Sequence, residues 1–323
     1  MFLPETPIMT KSEAMGGFVK ALSHLGLDQK DMKEIDNPSK EQLKRWHEIR
    51  PGNIGNGIVN GKVKLVSDSK IIETNVGHSE VTWSVRGHPT MLKIAESMIG
   101  PGDKRVGFDS INIGGKGKVP WFHVDVIIHP YQAEEEKKGY TADVQMMINF
   151  QACTKDTGGF VVKPGTHLHH ADVVKRASKG DGKGSSHNSN FLRMPIDPET
   201  GEYTEPLIAS IPSLLVTAPE GAITIWNSKV IHCNVGTTTK SKALFPRMVV
   251  YVSYYQAHLC VQSDEKRMQY FKQGVTTNHS PIDATPKTCG WRDKPHSFII
   301  QPYHPMVLND AQKALIAPLN KWT

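Results

Sequence analysis

"DVQMMINFQ", residues 143–151, alternates two kinds of side chain along its length. In an extended strand Asp143, Gln145, Met147, Asn149 and Gln151 share one face, and Val144, Met146, Ile148 and Phe150 share the other. The second set suits packing against a core or a layer of helices. The first is too polar for a closed core, yet it sits where a central strand is expected. A barrel with a polar, water- or ligand-filled interior reconciles the two faces, and makes Gln145 and Asn149 candidates to contact a bound molecule. An outward, solvent-facing side is the competing reading.

The surroundings fit a β-rich core. From about Val106, short runs of β-formers alternate with Gly, Pro, Asn and Asp clusters: RVGFDSINI, WFHVDVII, GGFVVKP, GAITIW and RMVVYVSYY. Upstream, the texture is helical. SEAMGGFVKALSHLGL carries Met15, Phe18, Val19, Leu22 and Leu25 at helical spacing, with Ser12 as its expected cap. A second helix is expected over residues 40–49. A third is expected over HPTMLKIAESMIG, opened by Pro89 and stopped at Gly100-Pro101. Strands with helices on one side predict a β-sandwich or barrel with a helical wrap. We read one domain over 1–323: a mainly helical part (1–105), a β core (106–260) and a C-terminal extension (261–323).

The 323 residues carry a formal net charge of +6 and 38% hydrophobic residues. Mean hydropathy is −0.38 and the pI is near 9.0, which favours anionic partners. No apolar run reaches the roughly 18–20 residues of a membrane helix, and MFLPETPIMTKSEAM lacks the pattern of a secretory signal. Cys153, Cys233, Cys260 and Cys289 are widely spaced and form no CxxC pair, which predicts a reducing, intracellular and cytoplasmic setting.

Metal chemistry is suggested by WFHVDVII, residues 121–128. A strand projects i and i+2 together, so His123 and Asp125 point the same way. The same His-x-acid template occurs at His78-Ser79-Glu80, in a strand-like segment without an obvious third ligand, and at His170-Ala171-Asp172, in helical or loop character. For the first pair a third ligand is at hand. GAITIWNSKVIHCN, residues 221–234, begins as a strand and delivers His232 near its end. Fifteen residues later Arg247 opens RMVVYVSYY, on one face with Val249, Tyr251 and Ser253. An arginine on the inner face of a barrel is costly unless it meets an anion. Two histidines and a carboxylate with open positions make the facial triad of non-haem Fe(II) oxygenases, and an arginine beside it can grip a dicarboxylate.

Here the chain resembles the phytanoyl-CoA dioxygenase-like branch of the Fe(II)/2-oxoglutarate-dependent oxygenases. GHPTMLKIAESMIGPG is similar to the helix before the barrel, VPWFHVD to the motif with the first two ligands, TGGFVVKPGTH to the glycine-rich turn and strand, and PEGAITIWNSKVIHCNVGTT to the distal-histidine segment. The resemblance spans roughly residues 87–255. It departs from the family at Cys233-Asn234, where a small pair is common, and in the long spacing to Arg247. It implies a double-stranded β-helix (jelly roll) with N-terminal helices. His123, Asp125 and His232 would bind Fe(II), and Arg247 would hold the distal carboxylate of 2-oxoglutarate. The implied reaction consumes O2 and 2-oxoglutarate, releases succinate and CO2, and takes hydrogen from a substrate C–H.

The implied substrate is a small anionic metabolite, such as an amino-acid-derived carboxylate, which would be hydroxylated or oxidatively cyclised as by kainoid synthases. Lys163 and Arg193 are candidates to pair with it, a plain surface charge being the alternative for each. Nucleic-acid demethylation and protein or peptide hydroxylation are the alternatives within the superfamily. The former wants base-stacking aromatics, and aromatics make up 7% of the chain without such interleaving. A metal-free or zinc-binding jelly roll is the alternative outside it. Four remaining readings concern single features. His167 is expected to brace its turn, and His129 to share the face of His123 but lie too far along to ligate. Trp121 and Trp226 are expected to pack as core. Residues 169–190, rich in Lys, Gly and Ser, are expected to form a mobile loop, either a solvated insertion or a lid.

Overall fold

The computed structural model describes residues 4, 7–23, 58–59, 62–63, 70–71, 77–109, 111–112, 122–125, 132–178, 191–236, 247–277, 279 and 305–322. The helix expected over 40–49, Trp121, His129 and Cys289 lie outside them.

Two antiparallel sheets carry the site. The smaller has the order β10 (Leu214–Leu215), β8 (Gly159–Val162), β12 (His232–Val235), β6 (His123–Val124) and β9 (Leu192–Arg193). The larger has the order β11 (Ile223–Trp226), β7 (Asp143–Asn149), β13 (Val249–Gln256), β5 (Ile111–Asn112) and β3 (Lys70–Ile71), with β4 (Lys104–Val106) also paired to β13. A separate hairpin joins β1 (Ile58–Val59) to β2 (Lys62–Val63). β7 and β13 run together for seven residue pairs, from Val249 opposite Asn149 to Tyr255 opposite Asp143.

The alternation read from β7 sorts its side chains as expected. Val144, Met146, Ile148 and Phe150 join Val250, Val252 and Tyr254 in an apolar layer with the helices. Met147 turns the other way and meets Phe160 of β8, together with Val249, Tyr251 and the partly buried Trp226. The two sheets therefore face each other across β7, β13 and β8. Behind the smaller sheet, Val124, Val161, Leu192 and Cys233 pack against Val173, Ala177 and Ile208.

Local sequence explains the helical layer. In α1 (Lys11–Ser23), Ala14 and Phe18 are buried one turn apart, and Phe18 meets Phe150 edge-on at 6.2 Å. The cap is Thr10 rather than Ser12: the Glu13 backbone N–H donates to Thr10 Oγ1 (3.2 Å), and the Thr10 N–H donates to the Glu13 carboxylate (2.8 Å). Residues 80–86 form α2 (Glu80–Arg86) behind Ser79, so the segment of His78 is a helix start and not a strand. α3 (Pro89–Ile99) begins with Pro89, its first turn capped by His88 Nδ1, and stops at Gly100, whose φ is 85°. α4 (Gln132–Lys137) lies before β7.

Residues 169–178 are not the loop expected of them. They form α5 (His170–Ala177), with His170, Val173 and Ala177 buried along one stripe. Arg176 reaches from α5 to Glu205, the cap of α6 (Pro206–Ser210), with contacts of 3.1 and 2.7 Å. Residues 179–190 lie outside the described part. The C-terminal residues return to the helical layer. α7 (Asp264–Gln273) buries Arg267, and after α8 (Asp310–Ala314) come Leu315, Ile316 and Ala317, in the same core as α1 to α3.

Among the described residues no helix is long and apolar enough to cross a membrane. Cys153, Cys233 and Cys260 are not joined in disulfides among the described residues.

Candidate metal centre

Pairing between β6 and β12 sets His232 directly opposite His123. Cross-strand partners project to the same side of a sheet, and the two rings lie 4.2 Å apart between centroids, tilted by 52°. Asp125 follows two residues after His123, its backbone N–H donating to the Ser228 carbonyl at 3.1 Å. His123, Asp125 and His232 each offer a ligand atom within 4.8 Å of the other two, and all three are buried. One ion with bonds of about 2.0–2.2 Å can span such a set.

The flanking segments hold these ligands in place. Gly158, the first glycine of the TGGF turn, has φ +74°, and a Cβ there would lie 2.4 Å from the carbonyls of Val235, the last residue of β12, and Gly236 after it. Only glycine allows that approach. The Pro-Gly-Thr-His stretch after β8 acts through Thr166, whose Oγ1 accepts the Ile231 N–H (2.9 Å) and donates to the Lys163 carbonyl (2.8 Å). His167, expected to brace this turn, is instead exposed.

Hydrogen bonds around the ligands suit metal binding. His232 Nδ1 lies 2.8 Å from the Val230 carbonyl. A carbonyl only accepts, so Nδ1 carries the proton and Nε2 keeps its lone pair. Burial, against the opposing pull of Asp125, pushes the His232 pKa down and so favours the neutral ring. Burial alone would raise the Asp125 pKa, but His279 first, then His232 and His123, outweigh it and hold the carboxyl below its ordinary value. Gln145 donates to Asp125 Oδ2 at 2.9 Å, and His232 Nε2 is 3.8 Å from that same oxygen. Nearby Asp143 is pushed up to about 6 by burial and the Asp125 charge, with Ser228 Oγ on its Oδ1 at 3.1 Å.

Arg247 is buried just before β13. Its Nη2 donates to Asn234 Oδ1 at 2.9 Å and touches Met147 Sδ at 3.3 Å, while Nε has no partner among the described residues. Trp226 packs on the Met147 and Phe160 cluster as a partly buried core residue, its ring 4.8 Å from Phe160 and 6.0 Å from His232.

Other sequence candidates separate clearly. Gln145 touches a ligand. Asn149 does not reach the triad: its amide nitrogen is taken by the Ala222 carbonyl and Thr224 Oγ1, both at 3.1 Å. Lys163 is likewise no free cation, since its Nζ donates to the carbonyls of Ile208 (2.5 Å) and Ile211 (2.6 Å) and lies over the Phe122 ring. Arg193 is exposed on β9, opposite His123 in register. Of the rival pairs, Asp172 is exposed while His170 bonds the Asp125 carbonyl at 3.2 Å. His78 bonds the Val275 carbonyl at 3.0 Å amid Trp83, Phe108 and Phe271.

His279 was invisible in the sequence. Its Nε2 lies 2.7 Å from Asp125 Oδ1. The segment NHSPID carries no strand pattern or ligand spacing that would have flagged it.

No family model matches the sequence, and neither does any curated protein. Solved structures with some likeness include a non-heme monooxygenase, ThoJ, in a nickel complex (15% identity, TM-score 0.38, 78% of this chain and 72% of that one). Another is EctD from S. alaskensis with 2-oxoglutarate and 5-hydroxyectoine (12% identity, TM-score 0.40, 90% and 77%). A third is HygX from Streptomyces hygroscopicus with nickel, 2-oxoglutarate and hygromycin B (12% identity, TM-score 0.35, 57% and 68%).

Proposed function

We propose that the chain is an Fe(II)/2-oxoglutarate-dependent dioxygenase acting on a small anionic metabolite. The observation that carries this reading is the buried cluster of His123, Asp125 and His232, with Arg247 buried beside the same inner face. The donor set fits the metal. Two neutral imidazoles and one carboxylate suit a first-row ion such as iron, and three protein ligands leave positions for other molecules. We read the two facing sheets as a jelly roll and 1–323 as one domain, in a cytoplasmic enzyme.

With iron bound, 2-oxoglutarate and O2 supply an oxidation that yields succinate and CO2 and takes hydrogen from an unactivated C–H. The chain's own residues prepare for it. His123, Asp125 and His232 hold the metal, and Gln145 fixes the Asp125 carboxylate. Arg247 keeps its Nε–H for the distal carboxylate of 2-oxoglutarate. Met147, Phe160, Val249 and Tyr251 line the space between the sheets with apolar surface and exclude water. Arg193, opposite His123 on the outermost strand of the smaller sheet, stays our candidate for contact with an anionic substrate.

Anaerobic loading with Fe(II) and 2-oxoglutarate, followed by addition of O2 in the presence of small carboxylic and amino acids with succinate as the readout, tests the reading. Substrate-stimulated succinate formation is expected. A protein that binds neither Fe(II) nor 2-oxoglutarate would overturn it.

A further inference from the structure

Asp125 is gripped from both sides, and one side is contributed from outside the facing strands. Oδ2 faces His232 Nε2 and accepts from Gln145. Oδ1 faces His279 Nε2 at 2.7 Å. Both Oδ1 and this nitrogen are buried, and the ring is turned so that neither makes an aligned hydrogen bond among the described residues. A buried carboxylate oxygen without a donor is costly, and His279 Nε2 is the ring nitrogen within reach of it.

The segment bearing His279 is anchored at this spot. Ser253 Oγ donates to the His279 carbonyl, and Ser253 stands directly opposite Gln145 on β13 and β7. Two residues earlier, the Thr277 N–H donates to the Phe108 carbonyl (2.9 Å) and Thr277 Oγ1 accepts the Phe108 N–H (3.1 Å). One cross-strand pair thus supplies the donor on Oδ2 and the tether of the ring on Oδ1.

We propose that His279 is a positioning residue for the metal centre, holding Asp125 Oδ1 so that the carboxylate presents Oδ2 alone to the ion. The inference rests on the reading of His123, Asp125 and His232 as a metal site. With Oδ1 engaged, Asp125 would offer a metal one oxygen, which would leave other positions for small molecules. Partners of this kind orient ligands and typically change metal affinity by about 10–100-fold when removed.

The test is calorimetric titration of Co(II) into the metal-free protein, comparing wild type with His279→Ala, His279→Gln and Ser253→Ala, alongside the melting temperature of each metal-free form. His279→Ala is expected to weaken Co(II) by about 10–100-fold while shifting the metal-free melting temperature by no more than about 5 °C. His279→Gln, which keeps a donor, should stay within about threefold of wild type, and Ser253→Ala should fall between the two. Co(II) affinity unchanged in His279→Ala overturns the proposal, as does His279→Gln binding as weakly as the alanine variant. Should His279→Ala not fold, unchanged affinity in Ser253→Ala overturns it. A wild type that binds no Co(II) fails the metal reading itself.

Discussion

Arg267 and Arg247 are both buried arginines next to the larger sheet, yet their guanidinium groups are used differently. Arg267, on the helical side, donates to the carbonyls of Ile316 (2.9 Å), Val106 (2.7 Å) and Leu315 (3.1 Å) and lies over the Phe108 ring. It fastens the C-terminal residues to β4 through groups that can only accept. Arg247, on the inner side, donates to no backbone carbonyl among the described residues. It reaches one amide oxygen and a thioether sulfur, with Nε left over. We read the cation satisfied by backbone as structural, and the one held by a sulfur and a side-chain amide as the candidate to meet a ligand. The same division holds for histidines. His78 sits among aromatic rings behind the sheet, and His232 presents a free Nε2 inside.

The largest effects are expected on the inner side. His123→Ala, Asp125→Ala and His232→Ala should each abolish succinate formation while leaving a folded protein, checked by turnover assay and circular dichroism. Near-wild-type turnover in any of them would remove the distinction between the two sides. Arg267→Met is the matching experiment on the outer side. It strands three carbonyls at about 1–3 kcal/mol each, so urea unfolding should show a loss of at least about 3 kcal/mol. If Arg247→Met destabilises the protein as much, the two arginines do not differ in role.

A smaller effect is expected at His78, which burial and then the Arg86 charge push down to about 3. The unfolded chain takes up a proton near pH 6.5 and the folded one does not. The stability His78 contributes is therefore complete above that pH and is lost as pH falls toward 3, by up to about 1.4 kcal/mol per pH unit. His78→Gln should flatten urea midpoints measured between pH 7 and 5. Identical slopes in wild type and variant would place the acid sensitivity elsewhere.

How much the sequence revealed follows the same two sides. The period of two in β7 and β13 sorted inner from outer residues, because each strand is covered on both faces and a slip would expose one. That the His-x-Asp pair and His232 come together was legible because residues on neighbouring strands keep strand spacing. Asn149 and Lys163 were polar in the right places, yet their partners are backbone carbonyls and a hydroxyl, which no residue pattern reveals. The α5 stripe of His170, Val173 and Ala177 was masked by the Lys, Gly and Ser that follow it. His279 depends on a tertiary contact 154 positions from Asp125 in sequence, and nothing local encodes it.

The account stands most directly on Arg247. Isothermal titration of 2-oxoglutarate into the anaerobic Fe(II)-loaded protein should give one site in the wild type. Loss of a buried charge pair costs about 2–5 kcal/mol, so binding in Arg247→Ala should be weaker by roughly 30-fold to several thousand-fold. Stability of that variant should fall by less than the roughly 3 kcal/mol expected of Arg267→Met. Undiminished 2-oxoglutarate affinity in Arg247→Ala would contradict the account.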